Sequence, residues 1–490
     1  METHKMVGIT GFGAYIPKLR LKRESIVDAN KWLNPGIASL AKGERSMSNW
    51  DEDPITLGVE AARDCLSINE RSLIENIYFA STTNPFADRQ NAAIVATALS
   101  LNSNIMAMDV TGSQRSGTTA LISALTSLDN NSDNEKLCIA ADKRLTRPGS
   151  TQELTYGDGA AALRVGNGNN NEIIADLIDF YSFTDDFVDH YRPANRKFDY
   201  YWEERWIRQE GHIKLISNAI INLLEKTNVP AEEIDHLIIP VISRGTPQVI
   251  AKNLSINPET ITDNMQINCG DTGVAHPLIM LISVLEKAKP GEKILVCGFG
   301  QGVDTFLLET SKEITRYQKN NGVVGTLLRR RTETNYIKFL SFNGLIDMER
   351  GMRAEQDKQT ALTTLYRNRS FLLGFNGGKC TKCGTAQIPK TKICVNPNCG
   401  SHDSQLDESF SEKKATIMSW TSDQLAYSLD PPAHYGMVQF EGGGRLMTDF
   451  TDIEHDEIKV DMPIRMVFRI KDLDEQRGFV RYFWKASPAK

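Results

Sequence analysis

Two long stretches of this chain run through the same order of elements, and that duplication restricts the fold more than any other feature. The first reads VATALSLNSNIMAMDVTGSQRSGTTALISALTSL, then EKLCIAADKR; the second reads VIAKNLSINPETITDNMQINCGDTGVAHPLIMLISVLEKAKPGEKILVCGFGQG. In each, a helix ending in LS-x-N precedes a strand, a Thr-Gly turn, a buried helix and an apolar strand led by Glu-Lys. Leu99 matches Leu254, Thr111-Gly112 matches Thr272-Gly273, and Glu135-Lys136 matches Glu292-Lys293. The offsets lie between 155 and 161, so a few insertions reconcile the copies.

The strands KLCIAA and KILVCG are continuously apolar, as parallel strands covered by helices on both faces are. Strands alternating with helices imply βαβ units and a layered α/β fold. Two pseudo-symmetric halves would share central helices starting near Ser116 and Val274, with their N-termini converging on one cleft. The alternative is two unrelated Rossmann-like domains.

DVTGSQRSGTTAL, residues 109–121, reads as a strand, a tight turn and a helix start. Such a turn commonly presents a nucleophile, because helix N-terminal N–H groups stabilise negative charge there. Gln114 occupies the apex, where a Cys or Ser is expected.

At 490 residues, two to four domains are expected. A formal net charge of −6 gives no basis for wholesale binding of nucleic acid or anionic membrane. METHKMVGITGFGAYIP has no secretory apolar region and reads as a strand reaching a Gly/Pro turn. The longest apolar runs, HLIIPVI and LIMLISVL, are too short to span a bilayer, so a cytoplasmic protein is expected.

Between the halves, DDFVDHYRPANRKFDYYWEERWIRQEGH is dense in aromatics and charge; it reads either as packed surface or as a lid over the cleft. The expected division is an N-terminal half over 1–170, a second half over 171–330 and a helical linker over 331–370. Arg329, Arg330 and Arg331 form a basic cluster, read as a solvated face with a phosphate contact as the alternative.

Residues 371–405 hold Cys380, Cys383, Cys394 and Cys399 in the spacing C-x2-C-x10-C-x4-C. Paired sulfurs on two glycine-closed hairpins suit tetrahedral zinc, and four thiolates leave no open position, so the metal is structural; iron is the alternative. Without an export signal a disulfide framework is not expected. Residues 406–490 break into short strands split by Gly, Asp and Pro, which suggests a five-strand OB-fold barrel. Residues 371–490 carry 15 Lys/Arg against 16 Asp/Glu, too balanced for the usual OB-fold partner, single-stranded nucleic acid.

GAYIPKLRLKRESI, WDEDPITLGVEAARDCL, DVTGSQRSGTTAL, YGDGAAALRVG and GFGQG resemble the 3-hydroxy-3-methylglutaryl-CoA synthase branch of the thiolase superfamily, with ketoacyl synthase III enzymes as close cousins. The resemblance covers roughly residues 5–330. The tail from 360 is similar to the zinc-ribbon/OB domains that accompany thiolase-like enzymes and help position acyl-CoA. It implies a duplicated αβαβα thiolase fold followed by the ribbon and barrel, a coenzyme A thioester as ligand, and a homodimer or larger assembly.

The family's catalytic residues do not carry over. Its nucleophilic cysteine falls on Gln114, its glutamate on Thr82, its histidine on or near Pro240, its asparagine on Asp271, and a serine of its SYGSG motif on Gln301. Without a thiolate here there is no acyl-enzyme; Cys269 reads as core. Glutamine at this position resembles loading-type ketosynthase domains, which decarboxylate malonyl thioesters. Gln114 is then a donor to a thioester enolate oxygen. Asp271, His276 and Asp88 are the acid/base candidates, with Thr82 in the same catalytic set. Ser113, Arg115, Tyr191, Arg192, Arg244 and Gln301 are candidates for holding substrate. Against these stand structural roles: turn-bracing for Asp271 and Asp158, core packing for His276, an ion pair for Arg115. Three functions follow: an enolate C–C bond enzyme of aldol or decarboxylative type, a silent acyl-CoA-binding scaffold for a partner thiolase, and a 3-hydroxy-3-methylglutaryl-CoA synthase with a displaced nucleophile.

Overall fold

In the computed structural model, which describes residues 7–129, 134–168, 172–318 and 320–489, the apolar runs of both repeats enter one nine-stranded sheet. From one edge its order is His236–Ile238, Lys293–Phe299, Gly302–Thr310, Ala175–Thr184, Val7–Tyr15, Gly159–Asn167, Glu135–Asp142, Ile74–Ala80, Met106–Val110. The duplication is visible in the register. Glu135–Asp142 pairs in parallel with Ile74–Ala80 and antiparallel with Gly159–Asn167. Lys293–Phe299 pairs in parallel with His236–Ile238 and antiparallel with Gly302–Thr310. The halves meet where Gly8 and Ile9 pair with Asp176 and Ala175.

The sheet is therefore mixed: the parallel pairing expected for KLCIAA and KILVCG holds on one side of each strand, and the other neighbour is antiparallel. Each run is fully buried, so it is apolar throughout, and burial says nothing about a neighbour's direction. The helices Ser116–Thr126 and His276–Leu285 are the central pair. Every residue of His276–Leu285 except Ser283 is buried. The helix Pro54–Cys65 covers the first half's strands; it starts at Pro54, behind a capping box of Asp53 and Thr56.

The chain divides into two compact units. The first runs to Asn343, so the linker expected over 331–370 begins later: Arg331–Glu333 pairs in parallel with Leu19–Leu21, and the Tyr336 hydroxyl reaches the Glu153 carboxylate at 3.0 Å. Arg330 pairs with Glu44, an ion pair in place of a phosphate contact.

The second unit holds Gly344–Lys490 with Asn49–Glu52 and Ile94–Leu101. Three short strands, Asn376–Cys380, Ala386–Gln387 and Gln405–Ser409, frame the cysteine cluster. A five-stranded sheet follows in the order Arg445–Asp449, Ala433–Phe440, Ala415–Asp423, Pro463–Asp474, Phe479–Pro488. A bridge from Phe450 to Ala486 brings its edges together around Phe375, Phe410, Phe440, Phe468 and Trp484, as in an OB-fold. Among the described residues no helix is long and apolar enough to cross a membrane.

Candidate active site

The turn after Met106–Val110 is held from the second half of the molecule. Ser113 Oγ donates to the Gly300 carbonyl at 2.8 Å, and accepts from Arg115 N–H at 3.3 Å. One residue into the helix, a Cβ on Gly117 would lie 2.1 Å from the Val274 carbonyl. Only glycine lets the two central helix starts approach this closely.

Below the turn sits Asp142, fully buried at the end of its strand. Its carboxylate accepts from Ser81 Oγ (3.0 Å), Thr82 N–H (2.9 Å), Thr82 Oγ1 (3.0 Å) and Thr83 Oγ1 (2.8 Å) in the first half, and from Val274 N–H (3.0 Å) in the second. Gly273, at φ +66°, leaves room for that carboxylate; a Cβ there would stand 2.4 Å from it. Because the Thr82 hydroxyl hydrogen goes to Asp142, Thr82 Oγ1 is an acceptor toward Gln114 Nε2, 3.2 Å away. This order of donors assigns the nitrogen end of the Gln114 amide, whose second N–H is left over on a residue that lines the cavity.

The second repeat contributes Asp271. Its carboxylate takes Arg144 Nη2 at 2.7 Å and Gly273 N–H at 3.0 Å, and the Arg144 guanidinium lies 3.5 Å over the Tyr156 ring. Burial pushes Asp271 up, but Arg144, His276 and these hydrogen bonds outweigh it and hold the carboxyl below its ordinary range. His276, 2% exposed, accepts from Thr272 N–H on Nδ1 at 3.3 Å. Burial, only partly offset by Asp271, lowers its pKa, so the ring is neutral with its hydrogen on Nε2.

The segment between the halves closes the site. His190–Tyr191 and Tyr200–Tyr201 form a short ribbon, followed by a helix that is π-wound over Ile207–Ile216. Arg192 donates to the Thr82 carbonyl and pairs with Asp199 at 3.1 Å; Asp199 also takes the Tyr156 hydroxyl at 3.2 Å. A cavity of about 780 Å³ lies between these walls, lined among others by Gln114, Arg144, Tyr156, His190, Tyr201, His212, Arg244, Asp271, His276 and Phe299.

Of the residues expected from sequence, Gln114, Asp271, His276 and Arg244 line this cavity. Thr82 and Arg192 stand behind Gln114 as described. Arg115 is turned away, pairing with Asp304 at 3.2 Å and donating to the Phe183 carbonyl. Ser113 braces the turn. Asp88 is exposed on the loop 81–90, outside the cavity lining, and Tyr191 is 49% exposed on the ribbon. Gln301, at φ +46°, sits in the tight link between Lys293–Phe299 and Gly302–Thr310 and is not among the lining residues. Asp158 accepts from Ser48 N–H at 2.8 Å, a structural role. Asp142, Arg144, Tyr156, Asp189, His190, Tyr201 and His212 were not anticipated. Asp142 and Arg144 were signalled by charge at the end of an apolar strand, Tyr156 by its place at the head of YGDGAAALRVG, and Asp189, His190, Tyr201 and His212 by the aromatic and charge density of the segment between the halves.

No cysteine is among the lining residues. Cys65, Cys138, Cys269 and Cys297 are buried, and desolvation pushes every one of their thiols up, Cys138 and Cys269 to about 12. In the second unit the sulfurs of Cys380, Cys383, Cys394 and Cys399 all lie within 4.8 Å of one another. The Cys380–Cys399 and Cys383–Cys394 separations are 3.9 and 3.5 Å, against about 3.8 Å between sulfurs around tetrahedral zinc. The donor set fits a structural zinc ion.

Comparison with known proteins agrees with the architecture. Residues 224–306 match the family described as 3-oxoacyl-[acyl-carrier-protein (ACP)] synthase III C terminal, and residues 409–469 match ChsH2, C-terminal OB-fold domain. The hydroxymethylglutaryl-CoA synthase of Methanobrevibacter smithii is 30% identical over 351 residues, 70% of this chain and 100% of that protein. Among solved structures, PksG, an HMG-CoA synthase from Bacillus subtilis, superposes with TM-score 0.60 at 17% identity, over 72% of this chain and 95% of its own. MvaS in complex with 3-hydroxy-3-methylglutaryl coenzyme A does so with TM-score 0.58 at 18% identity, over 70% and 93%. The fold of the first unit is the thiolase-like fold those structures share.

Proposed function

Because this chain belongs to the hydroxymethylglutaryl-CoA synthase family, we propose that it is an acyl-CoA enzyme of the thiolase superfamily, making or breaking a C–C bond through a thioester enolate without a cysteine nucleophile. Aldol, retro-aldol and decarboxylative reactions all pass through that enolate. The observation that carries this reading is the Asp142–Thr82–Gln114 chain, which turns an amide N–H into the cavity at the start of a central helix. Such a donor, fixed before substrate arrives, stabilises the oxygen on which enolate charge develops. The absence of a thiol from the lining supports the same reading, because the buried cysteines are neither accessible nor ionised near neutral pH. A solved relative binds a CoA thioester, which supports that substrate class here.

A second reading is a non-catalytic acyl-CoA-binding scaffold for a partner thiolase. It draws on Asp271 and His276, whose carboxylate and Nδ1 are taken by hydrogen bonds from Arg144, Gly273 and Thr272. A 3-hydroxy-3-methylglutaryl-CoA synthase working by acyl-enzyme has the least support, for want of a cavity thiol.

One experiment separates the three. The protein is incubated with malonyl-CoA, a 3-hydroxyacyl-CoA, and acetyl-CoA with acetoacetyl-CoA, following turnover and intact protein mass. Turnover without an acyl adduct is the expected outcome. Tight thioester binding with no turnover supports the scaffold, and a stable acetyl adduct overturns the absence of a nucleophile.

A further inference from the structure

The proposed chemistry needs a proton acceptor, and Asp271 and His276 are both engaged. The lining of the same cavity holds another pair. His190 Nδ1 lies 2.7 Å from Asp189 Oδ2. Burial works to raise the Asp189 carboxyl, but the His190 bond and charge, with His212 nearby, hold it below its ordinary range. A carboxylate only accepts, so Nδ1 of His190 carries a hydrogen, and in the neutral imidazole the lone pair is on Nε2.

The ribbon fixes the pair in place. His190 is the cross-strand partner of Tyr201, their rings stack at 5.1 Å and 12°, and Trp202 N–H donates to the Asp189 carbonyl at 2.9 Å. His190, Asp189 and Tyr201 all line the cavity that contains Gln114. His212 also lines it, edge-on to Phe299 at 4.8 Å. Burial pushes His212 down to about 4, despite Asp189, so it is too weak a base at neutral pH. Among the histidines lining the cavity, His190 is the one with a carboxylate bonded to it to hold the charge it would gain.

We propose that His190 is the general base and acid of this cavity, with Asp189 as its positioning residue; this rests on the acyl-CoA reading above. Nε2 takes a proton from the α-carbon of the acyl thioester. The C–H electron pair becomes the enolate C=C bond, and the carbonyl π pair moves to the oxygen facing Gln114. The enolate carbon then adds to the ketone carbonyl of a second acyl group, whose oxygen becomes an alkoxide. The imidazolium returns its Nε2 proton to that alkoxide. One C–C bond forms, no electrons are gained or lost overall, and His190 ends as it began; the reverse sequence is the retro-aldol cleavage. Asp189 keeps its hydrogen bond throughout and does not take the proton.

The test is deuterium wash-in to the methyl group of acetyl-CoA in D2O, read by mass spectrometry, which isolates proton abstraction from bond formation. Wild-type protein is expected to exchange. His190→Gln should lower the exchange rate about 100- to 10,000-fold, the usual contribution of a general base, with acetyl-CoA affinity changed only a few-fold. Added imidazole should restore part of the rate to His190→Gly. If His190→Gln fails to fold by circular dichroism, Asp189→Asn carries the test, with a slower rate and an altered pH profile. Wild-type rates in a folded His190→Gln overturn the assignment alone. No exchange by wild-type protein overturns both it and the aldol form of the acyl-CoA reading.

Discussion

Gln114 Nε2 lies 3.2 Å from Thr82 Oγ1, and the two residues come from the loops after neighbouring parallel strands, Met106–Val110 and Ile74–Ala80. They are the positions on which the resemblance read from the sequence places the family's cysteine and glutamate. Under the proposed function an amide, and the hydroxyl that orients it, act there instead.

Gln114→Ala removes the N–H that faces the cavity. Turnover of a thioester substrate should fall about 100- to 1000-fold, the usual cost of one oxyanion donor. Thioester affinity measured by calorimetry should change much less. Thr82→Val leaves the amide in place without its acceptor and should give a smaller loss of kcat, with KM nearly unchanged. Equal loss of affinity and rate in Gln114→Ala would argue for a purely binding role.

The Arg144–Asp271 pair is buried on both sides, with 3% and 15% of the two side chains exposed. Asp271→Asn strands a guanidinium that burial alone would disfavour. Unfolding free energy in denaturant titrations should drop by about 3 kcal/mol. Arg144→Leu with Asp271→Leu together should cost less than either single change.

His212 supplies a pH dependence of known sign. In the unfolded chain it binds a proton near 6.5, and in the folded protein only near 4. The unfolded state therefore holds more protons between those values. This contribution is intact above pH 6.5 and is lost as the pH falls from about 6.5 to about 4. At about 1.4 kcal/mol per unit the loss is about 3 kcal/mol. His212→Phe, measured by urea titration at pH 7 and pH 4.5, should lose less stability on acidification than wild type. An identical acid slope in the two proteins would refute the assignment.

Metal analysis should return about one zinc per chain. Cys394→Ser, or exhaustive chelation, should unfold the ribbon, read as a lower-temperature melting transition and protease cleavage within 376–409. Folded, metal-free wild-type protein at the same stability would show that the four thiols need no ion.

The duplication made the sheet legible in the sequence, because each repeat has to bury one apolar strand between a turn and a helix. It did not reveal that Glu135–Asp142 and Lys293–Phe299 each have one antiparallel neighbour, since a strand buried on both faces reads the same either way. The cysteine cluster and the short strands beyond it were legible for a stronger reason: metal spacing and turn residues are local. Gln114, Thr82 and Asp271 were found by register against the family. Asp142 was missed because a lone aspartate after an apolar strand looks like any strand terminus, and its five hydrogen bonds come from residues 60 positions before it and 132 after. His190 was missed because its meaning lies in Asp189 beside it and Tyr201 across the ribbon, and aromatic density there reads as surface packing.

Asp142 also bears on how the molecule can be divided. The two repeats look like a gene fused to its own copy, which invites the thought that either copy retains the ability to stand alone. The carboxylate of Asp142 belongs to the first repeat, yet Val274 of the second completes its shell. Gly117 of the first is likewise shaped to the Val274 carbonyl. Cutting the chain between the repeats would leave an anion short of a donor in one fragment and a helix start without its mate in the other. The two repeats therefore complete one another, and their boundary is the wrong place to split or recombine the chain.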